Sequence, residues 1–282
     1  MKISSYGKER HFFAAAPSFV WQFLFFFVPL LFVLILSFLD NSAVNPVFTI
    51  QNYINVLSYP QVKAIFTSLF IAFLNVLLCL LFAYPVAYCL AFKVKKMQNI
   101  LLFFLTLPLW VNFLVQVYAW FFILEHNGLL NNFLLNIGVI SQPLHLINNM
   151  FAIILVMFHV YLPFMVMPIY NVLEKLDPNL IEAASDLGAD WKRTLRTVTI
   201  PLSMSGIQLG SFLVFVMSFG EFIVPSLLGG EKVLFVGPLI SQYFLNSSSV
   251  SPGAAFTVMS SLSLIVTLGL MLIVSSKYQG KQ

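Results

Sequence analysis

The feature that most constrains this chain is a series of apolar stretches about as long as a bilayer is thick, each nearly free of charge. A helix needs about 20 apolar residues to cross the hydrocarbon, and such runs occur at residues 17–39, 64–92, 99–124, 150–173, 207–228 and 253–276. Lipid offers backbone groups no hydrogen-bond partner, and these runs lack the short alternation of barrel strands, so each is expected to be a helix. A chain of 282 residues that is 60% hydrophobic and only 9% charged cannot hide that much apolar surface in a soluble fold. The expected fold class is therefore an all-α membrane protein with six transmembrane helices. With no sequence repeat and no separate soluble stretch, residues 1–282 read as a single transmembrane domain. Pro85, Pro108, Pro163 and Pro168 fall inside the runs and predict kinks.

Basic residues set the expected orientation, because cytoplasmic loops collect Lys and Arg. On a six-span topology one side holds Lys2, Lys8, Arg10, Lys93, Lys95, Lys96, Lys175, Lys192, Arg193, Arg196, Lys277 and Lys281. The other side holds only Lys63 and Lys232. Both termini are thus expected in the cytoplasm. The competing reading of the N-terminus is a cleaved signal peptide, but its apolar run is too long and Ala14, Ala15 and Ala16 precede it instead of following it. No Arg-rich patch with interleaved aromatics points to nucleic acid.

The residue types of catalysis are present but scattered. Cys79 and Cys89 lie ten positions apart on one expected helix, which argues against both a disulfide and a metal site. His11, His126, His145 and His159 lack metal-ligand spacing, and no paired carboxylates or Ser/His/Asp order suggests hydrolysis. Gly229-Gly230-Glu231-Lys232 does not have the spacing of a phosphate-binding loop. The chain reads as a non-catalytic membrane subunit with no cofactor of its own. If ATP drives it, another subunit must bind the nucleotide.

Between the fourth and fifth runs lies a polar segment, residues 177–201. Asp177 is placed to cap a helix with Pro178 at its first position, and Leu180, Ala183, Ala184 and Leu187 recur on one face. Gly188 suits a left-handed stop. Asp190 can cap a second short helix running through Trp191 to about Thr199, until Pro201 redirects the chain. Glu182, Asp186, Arg193 and Arg196 supply charge for orienting a partner. Local physics also admits an amphipathic loop lying on lipid headgroups, and less readily a DNA-reading helix-turn-helix, which its position between membrane spans disfavours.

Glu182-Ala183-Ala184, then Gly188, then Val198-Thr199-Ile200-Pro201 is similar to the EAA loop of permease subunits of binding-protein-dependent ABC importers. Val198 and Ile200 stand where that pattern usually has Ile and Leu. The wider likeness covers most of the chain and narrows to spermidine/putrescine importer permeases of the PotB/PotH type. It is carried by Leu107-Pro108-Leu109-Trp110-Val111-Asn112 with Tyr118 and Trp120, by residues 162–168 and 173–177, and by Gly220-Glu221-Phe222-Ile223-Val224-Pro225 with Leu228-Gly229-Gly230. The resemblance implies a type I ABC importer permease fold, MetI-like, in the bacterial inner membrane. It also implies that the loop at about 174–203 docks on a cytoplasmic ATPase through Glu182, Ala183, Ala184, Asp186, Leu187 and Gly188. The implied partners are a second homologous permease, an ATPase dimer that binds ATP and Mg, a periplasmic polyamine-binding protein and membrane lipid. Alternating access would carry polyamines inward. Permeases for other small solutes share this architecture, and an ion-coupled carrier or a structural scaffold are rivals from other classes.

Glu221 bears on the substrate independently. An ionised side chain facing lipid near a span's centre costs about 3 kcal/mol, so Glu221 is expected to face a watery path or a polar partner. A carboxylate there suits a cationic amine; alternatively it is held by backbone or a neighbouring helix, as a hinge beside Gly220. Trp110, Asn112, Tyr118, Trp120 and Tyr161 are further pathway candidates, the aromatics by stacking on ammonium groups, although interface anchoring and packing explain single aromatics equally well. Residues 128–137 place Leu129, Leu130, Phe133, Leu134 and Ile137 on one helical face and predict a short surface helix, either a contact for a delivery protein or a cap on the bundle. The Ser-rich loop 229–252 is another candidate contact.

Overall fold

The computed structural model describes residues 17–40, 47–230, 233–245 and 250–279, with side chains to Ser275. Lys2, Lys8, Arg10, Lys232, Lys281 and part of the 229–252 loop lie outside the described residues, as does the side chain of Lys277. The chain divides into two compact units, Met1–Tyr59 with Gln242–Leu262 and Pro60–Ser241 with Ser263–Gln282.

In the first unit α1 (Pro17–Ser37) is almost entirely apolar, and no residue of its most hydropathic stretch is buried. It leads into a short antiparallel ladder, β1 (Leu39–Asp40) and β2 (Val47–Phe48), paired Leu39 to Phe48 and Asp40 to Val47. The next helix, α2 (Gln51–Val56), is tied back to the end of α1. Buried Asn52 donates to the carbonyls of Ser37 (3.1 Å) and Leu39 (2.9 Å), and the Tyr53 and Ser37 hydroxyls share a 2.6 Å bond. These bonds use backbone groups left over at the end of α1, where an unpaired buried carbonyl would be costly.

The second unit holds α3 (Tyr59–Lys93), α4 (Gln98–Trp110), α5 (Phe113–Leu124), α6 (Leu129–Asn136) and α7 (Met150–Leu173). After the polar loop come α10 (Met204–Phe219), α11 (Ile223–Leu228) and α12 (Val236–Leu245), the loop itself forming α8 (Pro178–Asp186) and α9 (Trp191–Leu202). Tyr59 of α3 and residues 242–245 of α12 belong to the first unit, and the last helix, α13 (Val250–Gln279), contributes its first part to the first unit and its second to the other. Among the described residues five helical stretches are long and apolar enough to cross a membrane, or up to six if α9 and α10, bent by 68° at Ser203, count as one.

α7 is the axis of the second unit. Val156, Met157, Val160, Met165, Val166, Ile169 and Leu173 are all buried along it. Its main partner is α10, and the fit depends on two glycines one turn apart. A Cβ on Gly206 would stand 2.6 Å from the Pro168 carbonyl oxygen, and one on Gly210 would stand 2.8 Å from the Met165 sulfur. Small residues at this spacing let backbones approach where lipid gives no hydrophobic drive to associate. α3 then grips α10 at both ends: Asn75 donates to Ser218 (2.8 Å), and the Tyr84 hydroxyl pairs with Ser203 at the bend (3.2 Å).

The structure corrects the expected spans in two places. Residues 99–124 are not one helix: the chain is extended at Val111 and restarts with Asn112 as cap, its side chain accepting from Leu114 N at 2.9 Å. Residues 207–228 are likewise interrupted between Phe219 and Ile223. Hydropathy averaged over a span does not show either break, because the one polar side chain in each, Asn112 and Glu221, is outweighed by apolar neighbours. The fourth span, Met150–Leu173, has the expected limits. α6 forms where expected, but Leu129, Phe133 and Ile137 on its apolar face are exposed while Asn131 is buried. The Asn131 side chain meets the carbonyls of Glu125, His126 and Leu144 and the Leu144 amide, which pins the polar face of α6 to the flanking loops.

Candidate functional site

Two regions carry the candidate residues, and the polar loop is built almost entirely from local chemistry. Asp177 accepts from Asn179 N at 3.0 Å, opening α8 with Pro178 at its first position. The helix closes at Gly188, whose φ of +81° is the left-handed conformation that favours glycine. Ala189 N donates to the Ala184 carbonyl at 3.0 Å and Gly188 N to the Ser185 carbonyl at 2.9 Å, which together form a Schellman stop. Asp190 then accepts from Arg193 N at 2.8 Å and opens α9.

α9 runs beyond the expected end near Thr199 and through Pro201 to Leu202. It does so by widening to a π turn over Leu195–Thr199, closed by Ile200 N on the Leu195 carbonyl. Proline lacks an N–H and its ring crowds the carbonyl four residues back, so a widened turn just before Pro201 lets the helix continue. The sharp change of direction falls instead at Ser203. The result is a rigid two-helix projection. Glu182, Ala183, Asp186 and Gly188 are exposed on it, Ala184 is half-buried, and Leu187 at the tip is 89% exposed.

The second region lies where the two interrupted helices meet α7. Glu221 sits in the break between α10 and α11 and is 6% exposed. Its Oε1 accepts from Ile223 N (2.8 Å) and Val224 N (3.2 Å), satisfying the first amides of α11. Its Oε2 accepts from the Tyr161 hydroxyl on α7. Gly237, at the start of α12, fits against the Glu221 carbonyl, where a Cβ would stand 2.5 Å away. A pocket of about 400 Å³ opens beside the carboxylate, lined among others by Phe113, Tyr161, Phe164, Gly220, Glu221 and Phe222.

Of the pathway candidates, the structure brings Tyr161 and Glu221 into direct contact. Asn112 caps α5 and places the next residue, Phe113, in the pocket wall. Trp110 is 80% exposed with Phe103 as its ring neighbour, Tyr118 is also exposed, and Trp120 meets His159 edge to face; none of the three lines the pocket. Sequence reasoning missed Phe113, Phe164 and Phe222, because nothing separates them from the other Phe residues among 31. It also missed the stapling of the first break by Gln116, which donates to the carbonyls of Pro108 and Val111. Gly206 and Gly210 were missed as well, because their role depends on which helix packs against them.

Residues 82–280 match the family of binding-protein-dependent transport system inner membrane components. The chain belongs to that family. Among curated relatives, the spermidine/putrescine transport system permease protein PotB of Escherichia coli (strain K12) is 41% identical over 257 residues, covering 90% of this chain and 92% of that protein. The permease protein PotC of the same bacterium is 34% identical over 121 residues, covering 42% of this chain and 45% of PotC. Among solved structures, a bacterial alginate ABC transporter in complex with an alginate pentasaccharide-bound periplasmic protein matches with a TM-score of 0.77 at 16% identity, covering 96% of both chains. That likeness shows the fold, that of an ABC importer permease of type I. The helix breaks, the bent α9–α10 pair and the projecting loop are thus features of a transport subunit of the inner membrane.

Proposed function

We propose that this chain is the permease subunit of an ATP-driven importer for polyamines of the spermidine/putrescine class. The observation that carries this reading is the 41% identity to PotB across 90% of the chain. The buried carboxylate of Glu221 beside an aromatic pocket agrees with a cationic cargo.

In the working assembly a second homologous permease supplies the other half of the path, and a periplasmic binding protein delivers the amine. A dimer of cytoplasmic ATPases binds ATP and Mg and performs the hydrolysis, while this chain does no covalent chemistry. Both termini face the cytoplasm, on the side where the polar loop meets the ATPase. Leu187 and the Ala183-Ala184 face of α8 seat in the ATPase surface, and Glu182 and Asp186 orient the contact. The Schellman stop at Gly188 and the cap at Asp190 make the projection stiff, so closure of the ATPase pair moves α9. The bend at Ser203 passes that motion to α10, which the glycine contact holds on α7. Alternating access follows as the two permeases rock about the path.

Reconstitution tests this directly. Purified complex in vesicles, with ATP inside and all ion gradients collapsed, is expected to accumulate labelled spermidine or putrescine in preference to amino acids and inorganic ions. Uptake that follows an ion gradient and ignores ATP would overturn the reading in favour of a secondary carrier.

A further inference from the structure

We propose that the pocket where the two interrupted helices meet holds one ammonium group of the cargo, with Glu221 as its counter-ion and Phe113, Phe164 and Phe222 as the rings that select it. This rests on the polyamine reading above and adds to it a place and a basis for discrimination. Three observations converge. The two oxygens of Glu221 are not equivalent: Oε1 is committed to two backbone amides of α11, whereas Oε2 meets only a hydroxyl, that of Tyr161. An ammonium has three donors, and a tyrosine hydroxyl that donates to a carboxylate still has lone pairs to offer. A cation can therefore join Oε2 and the Tyr161 oxygen without breaking the bonds that start α11.

The surroundings suit a cation and little else. Phe113, Phe164 and Phe222 add aromatic rings to a wall whose one charge among the described residues is negative, and its volume of about 400 Å³ lies in the range of small-molecule sites. A neutral solute gains only a hydrogen bond from the carboxylate, whereas a cation gains the full charge pairing, and an anion is repelled. The position is also mechanically informative. Phe113 begins α5 immediately after the first break, and Gly220, Glu221 and Phe222 form the second, so one bound group touches both interruptions. Irregular backbone at membrane depth is tolerated where it is buried or lines a cavity, and binding sites of carriers use it for this reason.

The test uses the complete complex. Glu221→Gln keeps an acceptor for α11 and removes the charge; Phe164→Leu and Phe222→Leu keep apolar bulk and remove the π face. Phe70→Leu serves as control, since Phe70 lies on a separate apolar groove. Binding of labelled spermidine to detergent-purified permease–ATPase complex and uptake into vesicles are both measured. Glu221→Gln is expected to weaken binding by about tenfold or more, and each Phe variant by roughly 2- to 30-fold, the span of a cation–π contact. The control should bind as wild type and keep its ATPase stimulation by the binding protein.

If the wild-type complex imports no polyamine, the function reading itself fails. If wild type imports polyamine while Glu221→Gln and both Phe variants bind and import equally well, the site is wrong and the function stands. Loss in Glu221→Gln with wild-type behaviour in both Phe variants removes the rings from the proposal. Should Glu221→Gln fail to assemble, the two Phe variants carry the decision alone.

Discussion

The polar loop and the Glu221 break use the same device, an acidic side chain satisfying the first amides of a helix, in opposite settings. Asp177 and Asp190 are exposed, and each meets an amide within three residues, with nothing else required. Glu221 is buried, and its remaining oxygen and backbone depend on Tyr161, 60 residues earlier in the chain, and on Gly237. The exposed caps can be lost for a modest cost because water replaces them. The buried one cannot, since orphaned amides there have no other partner. A stiff projection and a buried polar seat therefore tolerate change very differently.

The sharpest way to break this comparison is to put the same bulk at two glycines. Gly206→Leu forces a side chain against the Pro168 carbonyl and should cost more than the usual 1–3 kcal/mol of overpacking, abolishing recovery of a monodisperse complex on size-exclusion chromatography. Gly188→Leu, where a Cβ meets open space, should leave assembly intact. Equal loss of complex in both would show that crowding is not what separates the regions.

Glu221→Ala comes next. Two buried amides lose their acceptor, at about 1–3 kcal/mol each, so the complex should melt several degrees lower, whereas Glu221→Gln should melt near wild type. A thermal melt in which the two variants coincide would mean that capping of α11 is not what Glu221 supplies.

Gly188→Val places a β-branched residue at φ +81°, with roughly 1–2 kcal/mol of strain, and is expected to lower uptake per ATP hydrolysed by about tenfold while hydrolysis continues. Gly188→Asn, which tolerates this conformation, should retain most of the coupling. Coupled uptake unchanged in the valine variant would separate the turn from coupling altogether.

The smallest effect belongs to Asp190→Ala, about 0.5–2 kcal/mol of local stability, read as faster amide hydrogen exchange confined to the start of α9. Exchange that accelerates across α10 as well would show that the loop and the membrane helices share one cooperative unit.

Legibility from the sequence followed the same division. Asp177, Pro178, Gly188 and Asp190 each act on neighbours within a few residues, so their roles could be read before any fold was known, apart from the passage of α9 through Pro201. Span positions were legible for a similar reason, since bilayer thickness fixes the length of apolar helix. The breaks at Val111–Asn112 and Gly220–Phe222 were not. They cost backbone hydrogen bonds that only Gln116, Glu221 and Tyr161, placed by packing, make good. The burial of Asn131 on α6 was hidden likewise, because its partners at Glu125, His126 and Leu144 come from the flanking loops.

By itself the amino-acid sequence determined that this protein lives in lipid as helices and carries a capped two-helix projection between two of them, because hydropathy over one helix length and capping over one turn are local quantities. Which phenylalanines surround Glu221, which helix receives Gly206 and Gly210, and where a membrane helix can stop midway were decided only in three dimensions. Those outcomes depend on groups distant in the chain meeting at atomic contact, and each is stable only because the others are in place.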